Sequence, residues 1–78
     1  MFGGMLMKLS DGQEGQTYIV TELLGSSETN RFFSNLGLNE GEEITLISKL
    51  AGNFVVNIKD GRYGMAGDLA NKIRVKPL

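Results

Sequence analysis

Arg31-Phe-Phe-Ser-Asn-Leu-Gly-Leu-Asn-Glu-Gly41 packs a short apolar helical face, a glycine stop, a tight turn and the entry to a strand into very few residues. Ser26 and Ser27 stand before it as candidate N-caps, and Glu28 falls in the first turn, where the helix dipole favours a negative charge. Phe32 and Leu36 are four residues apart and Phe33 and Leu36 three, so they share one apolar stripe. Gly37 can adopt the left-handed conformation of a C′ residue. With Leu36 as C-cap, Phe33 is then C3 and Leu38 is C″, the pair that touch in a Schellman motif. The helix is predicted to stop at Gly37, with Leu38 folding back on Phe33, and Asn39-Glu-Gly41 turns the chain into the next strand. A helix this short is marginal in water and persists only by docking on something. The segment from Glu42 to Gly61 reads as the sheet that receives it.

In that sheet, Ile44, Leu46, Ser48 and Leu50 alternate on one face of a strand, and Phe54, Val56 and Ile58 on one face of the next. A three-residue Ala51-Gly52-Asn53 loop would pair Leu50 with Phe54 and Leu46 with Ile58. A two-residue Gly52-Asn53 loop would throw Leu46 to the wrong side, so the longer loop is expected. Asp60-Gly61 is a type I′ hairpin signal that sets Ile58 opposite Tyr63 and Val56 opposite Met65. Gly64 inside the following strand suggests a bulge or a close backbone approach. Upstream, Gln16 to Leu24 is a strand with two apolar faces: Tyr18, Val20 and Leu24 on one, Ile19, Thr21 and Leu23 on the other. Downstream, Gly67 to Asn71 reads as one helical turn, and Ile73 to Val75 as a short final strand. About five strands, one helix and one helical turn in so short a chain point to a mostly β fold, a small barrel whose closure removes free edges.

The chain has 78 residues, enough for one domain. It contains no cysteine and no histidine, which excludes disulfides, thiolate metal sites, thiol nucleophiles and the commonest general base. A formal net charge of -1 argues against a nucleic-acid binder, which would carry a basic excess. Met1-Phe-Gly-Gly-Met-Leu-Met-Lys8 is apolar but far short of the about 20 residues that span a bilayer. It also lacks the regions of a signal peptide. Residues 1–6 are expected to be a flexible start and residues 7–78 the single domain; an apolar arm packed on a second subunit is the alternative. No catalytic residue, cofactor site or metal site stands out. Glu40, Glu42 and Glu43 read as a solvated surface, and no serine has a histidine to activate it. Lys72, Arg74 and Lys76 share one face of the last strand and suggest an edge guarded by positive charge. Oligomeric state stays open; Phe54 at a hairpin tip and the Met1–Leu6 arm are the apolar segments available for pairing with another copy.

From Met7 to Val75 the order and spacing of these elements resemble the ferrous iron transport protein A (FeoA) family. The resemblance is carried by the Arg31–Gly41 stretch running into Glu43-Ile-Thr-Leu-Ile-Ser48, by the opening Leu9-Ser-Asp-Gly-Gln-Glu-Gly15, and by Tyr63-Gly-Met-Ala-Gly-Asp-Leu-Ala-Asn-Lys-Ile-Arg-Val75. It implies an SH3-like barrel with an inserted helix. It also implies a non-catalytic cytoplasmic accessory protein of ferrous iron uptake, whose partner is the membrane transporter FeoB with its cytoplasmic GTP-binding region. The chain departs from the family in having Arg31 as its single helix cation, Glu40 where proline is usual, and Gly12 where leucine is usual. The residues singled out for partner contact are Arg31, Phe32, Asn35 and Glu40, with Phe33, Leu36 and Leu38 assigned to the core. Two other classes remain: an SH3-like interaction module linked to iron-dependent transcriptional regulation, and a weak surface-carboxylate metal binder.

Overall fold

The helix forms where its caps place it. In the computed structural model, which describes residues 7–78, α1 runs Ser27–Asn35 and the Ser26 hydroxyl accepts the Thr29 N–H at 3.2 Å. Gly37 takes φ 91°, its N–H donates to the Ser34 carbonyl at 2.9 Å, and the Leu38 N–H donates to the Phe33 carbonyl at 2.9 Å. These are the two bonds of a Schellman motif, and they bring Phe33 and Leu38 together with neither exposed. The expectations for residues 1–6, a flexible start or a docked arm, lie outside the described residues.

Six antiparallel strands make one sheet: β1 (Met7–Lys8), β2 (Thr17–Leu23), β3 (Glu43–Leu50), β4 (Asn53–Ile58), β5 (Gly61–Ala66) and β6 (Ile73–Pro77). Their spatial order is β1-β6-β2-β3-β4-β5. A 3₁₀ turn, Leu9–Asp11, follows β1, and the one-turn helix α2, Gly67–Ala70, joins β5 to β6. The fold is mostly β, as expected, with one strand more than the five predicted. One face of the sheet holds the core: Val20, Ile44, Leu46, Val56, Ile58, Ile73 and Val75 are buried there. Phe33, Leu38 and Leu9 join the same buried cluster from outside the strands.

Closure is the first correction. Among the described residues β1 and β5 do not pair, so the sheet is open between them. α2 packs on β4, β5 and the 3₁₀ turn that follows β1. The second concerns β6. It lies between β1 and β2, so Lys72, Arg74 and Lys76 do not guard an edge. Met7 and Lys8 pair with Val75 and Arg74 and occupy that position.

Two bulges explain why simple alternation misleads. In β2 the register with β6 shifts at Thr21, between Val20↔Val75 and Glu22↔Arg74. The extra residue moves the inward face from Tyr18 and Val20 to Leu23, and leaves Leu24 exposed. In β3 the shift falls at Ile47, between Leu46↔Val56 and Ser48↔Val55. The β3–β4 loop is therefore the two residues Ala51-Gly52, both at positive φ, and neither the three-residue loop nor Gly52-Asn53. Leu46 stays inward, but Leu50 pairs with Asn53 and is 80% exposed, while Phe54, expected at an exposed tip, is buried opposite Lys49.

The loop of the second hairpin falls one residue early, which shifts its register by two. Its loop is Lys59-Asp60, closed by Ile58↔Gly61, so Val56 faces Tyr63 and Phe54 faces Met65. A slip of two keeps every side chain on its expected face and changes only its partner. A Cβ on Gly61 would lie 2.5 Å from the Tyr63 hydroxyl, so a larger residue there requires that ring to move. Gly64 makes neither the bulge nor the close approach predicted for it, because it pairs regularly with Val55 and a Cβ would meet nothing within 4 Å.

The bulge at Ile47 separates two leucines that alternation equates. Leu46→Ala is expected to cost about 2–5 kcal/mol in urea unfolding, and Leu50→Ala no more than about 0.5 kcal/mol. Equal costs would show that the inward face runs straight through β3.

Candidate functional site

The exposed side of α1 is set by its buried side. Phe33 is fully buried, so its neighbour Phe32, about 100° round the helix, points outward and is 47% exposed. The two rings meet tilted, with centroids 6.0 Å apart. Arg31 and Asn35, four residues apart on the helix, are exposed as well. Asn30 fixes the helix to its surroundings. Its Nδ2 donates to the Leu23 carbonyl at 3.3 Å, and its Oδ1 accepts the Gly25 N–H at 3.0 Å. The strand-to-helix connection is thereby held against the first turns of α1.

Phe32 borders a cleft of about 330 Å³ lined by Glu28, Thr29, Phe32 and Leu69. The far wall belongs to α2. Backbone bonds hold this element in place: Gly67 N–H to the Gly52 carbonyl at 2.8 Å, and Leu24 N–H to the Lys72 carbonyl at 2.7 Å. The Ser10 hydroxyl bonds the Asn71 side chain, which ties the end of α2 to the 3₁₀ turn. The result is a shallow, mostly apolar groove between the two helices, with a carboxylate at one rim.

Glu40 sits elsewhere, exposed in the turn after the helix. Ser34 Oγ donates to Asn39 Oδ1 at 2.8 Å and links α1 to that turn. Beyond it lies a polar cleft of about 310 Å³ lined by Gly41, Glu42, Glu43, Thr45, Asn57 and Lys59. Lys59 Nζ lies 3.0 Å from Glu42 Oε1, both half exposed, so the pair contributes at most about 1 kcal/mol. The four residues singled out from the sequence thus divide. Arg31, Phe32 and Asn35 share α1, Glu40 is on the following turn, and only Phe32 lines the groove. Leu69 escaped the sequence reading. A lone leucine in a one-turn helix carries no periodicity, and its place beside Phe32 depends on the path from β5 through α2.

Among the described residues, no polar or charged side chain is buried, and no three acidic side chains are gathered as a metal site would need. No helix of the described residues is long and apolar enough to cross a membrane. What the arrangement can do is hold an apolar group against Phe32 and Leu69, with Arg31 and Asn35 able to bond from the helix flank.

Residues 7–77 match the model of the FeoA domain. The fold is shared with a crystal structure described as iron uptake regulatory protein (FeoA), at TM-score 0.87 and 23% identity, over 95% of this chain and 100% of that one. The FeoA protein of Chlorobium tepidum is similar at TM-score 0.85 and 26% identity, covering 92% of this chain and 70% of that one. A manganese-dependent transcriptional repressor shares the fold at TM-score 0.88 and 19% identity, but the match spans 97% of this chain and 44% of the repressor. No curated protein matches the chain by sequence.

The adjacent phenylalanines are expected to differ sharply on truncation. Phe33→Ala costs about 3–5 kcal/mol, whereas Phe32→Ala leaves the unfolding free energy within about 1 kcal/mol of the parent. Denaturant titration of both variants checks this, and a large loss at Phe32 would mean that its ring belongs to the core.

Proposed function

The chain belongs to the FeoA family, and on that premise we propose that it is a non-catalytic cytoplasmic accessory protein of ferrous iron uptake that binds and modulates the membrane transporter FeoB at its cytoplasmic GTP-binding region. The observation that supports this most directly is the exposed Phe32 beside the apolar groove it forms with Leu69. A half-exposed aromatic carried on a rigid helix is the residue type that anchors interfaces, and arginine is another. Arg31 and Asn35 flank it on α1, and Glu40 on the next turn extends the contact. In this reading Phe32 is covered by an apolar side chain of the transporter domain, while Arg31 pairs with an acidic group at the rim. The single helix cation makes attraction over distance weak, so affinity rests on fit within the groove.

A second reading, an interaction module linked to iron-dependent transcriptional regulation, draws on the shared fold of the repressor; a neighbouring regulator gene, in place of a transporter gene, would favour it. A metal-carrier reading draws on Glu40, Glu42 and Glu43. Titration with ferrous or zinc ions at physiological ionic strength discards it if affinity is only millimolar.

Calorimetry of the intact protein against the cytoplasmic part of the transporter tests the main reading. Binding is expected, and Phe32→Ala is expected to weaken it about tenfold or more while the fold persists. Absence of heat at concentrations well above micromolar would remove the proposal.

A further inference from the structure

The two edges of the sheet are protected very differently. At one edge, β1 has two described residues, short enough to offer little template. At the other, β5 presents six, Gly61 to Ala66, with one charge, Arg62, and no proline. The Ile58↔Gly61 pair closes a two-residue loop, so it exchanges hydrogen bonds across the hairpin, and Tyr63 and Met65 repeat the pattern with Val56 and Phe54. Arg62 and Gly64 therefore point their N–H and C=O groups away from β4. Among the described residues no other backbone group takes them.

Gly64 sharpens this. Its φ is ordinary and a Cβ would meet nothing within 4 Å, so nothing among the described residues accounts for a glycine in the middle of a strand. Glycine in a strand weakens it and marks places where another backbone approaches. On the side away from Arg62, the surface beside Gly64 carries no charge. Ser48, Val55 and Gly64 form one row across β3, β4 and β5, and Leu50, Asn53 and Ala66 form the next, with Leu50 80% exposed.

We infer that the free edge of β5 pairs antiparallel with β5 of a second copy of this chain, around a two-fold axis at Gly64. Self-pairing disfavours one register and suits the one centred on Gly64. Residues that exchange bonds on this edge are Arg62, Gly64 and Ala66. Centring on Arg62 would set two guanidinium groups opposite each other, which is destabilising. Centring on Gly64 pairs Gly64 with its copy, sets Arg62 opposite Ala66 of the other chain, and places Tyr63 across from Met65 on the core side. The contact is isologous and closes on two chains, so it does not propagate into fibres. It is short, so the dimer is weak and depends on concentration. The surface is separate from the α1 groove, and the inference stands whatever binds Phe32.

Hydrogen exchange of the intact protein, from micromolar to millimolar concentration, tests it alongside sedimentation. The Arg62 and Gly64 amides are expected to gain protection as concentration rises, while Tyr63 and Met65, bonded to β4, are protected throughout. Gly64→Pro removes a donor that β4 does not use, so the fold is retained and dimerisation weakens at least about tenfold. A protein that stays monomeric at millimolar concentration with Arg62 and Gly64 exchanging freely overturns the inference. So does a dimer unchanged by Gly64→Pro in a folded variant. If that variant fails to fold, the concentration dependence of the two wild-type amides decides alone.

Discussion

The constraint on which the molecule rests is the closed turn between Phe33 and Leu38. The bond from Leu38 N–H to the Phe33 carbonyl reverses the chain within one helical turn and delivers two large apolar side chains into the core from one short segment. A nine-residue helix could not persist without this anchor. The apolar face of the sheet in turn takes Phe33 and Leu38 into one buried cluster with Ile44, Ile58 and Val20. Each element supplies what the other lacks. The turn after Leu38 is then fixed by main-chain bonds: Gly41 N–H to the Val20 carbonyl at 2.8 Å, and Val20 N–H to the Glu42 carbonyl at 2.9 Å.

That anchor also produces the candidate docking face. With Phe33 committed inward, the helical repeat leaves Phe32 no inward position. Its ring remains at the surface, braced by Phe33 and bordered by Leu69. Function, in this view, is a by-product of helix geometry: adjacent phenylalanines on a helix face different ways, and one holds the fold while the other is available for contact. The two bulges act similarly in the sheet. Each takes one residue out of the alternation, so β2 and β3 bend around the core while a hydrophobic residue, Leu24 or Leu50, is turned out to solvent.

The helix, its caps and its stop were legible because they are local. Ser26, Gly37 and the Phe33–Leu38 contact lie within a dozen residues, and capping chemistry assigns their roles with no knowledge of the rest. The mostly β class was legible for the same reason, from alternation in short windows and from turn residues. Misreadings occurred where one extra residue or a positive φ at Ala51 or Lys59 altered the count. Nothing in the identities of Thr21 or Ile47 announces a bulge. An alanine or a lysine is also not the residue from which a left-handed turn is read, yet strand pairing on both sides compels it. Gly12 shows the opposite case: the ring of Tyr18 packs beside it, with Cε2 3.1 Å from where a Cβ would sit, so a missing side chain is compensated by a residue six positions on.

The sequence by itself determined the fold class, the helix with both its ends, the inward assignment of Phe33, Leu38, Ile44, Leu46, Val56 and Ile58, and the absence of cysteine and histidine chemistry. These depend on interactions between residues close in the chain, or on composition alone. Only the tertiary structure decided strand order, the open edges, the interior place of β6, the exposure of Leu50 and the groove that Phe32 and Leu69 line together. Each of these depends on which distant segments pair and on how one inserted residue is absorbed. The energy differences that settle such choices are spread over the whole sheet, so no single stretch of residues carries them.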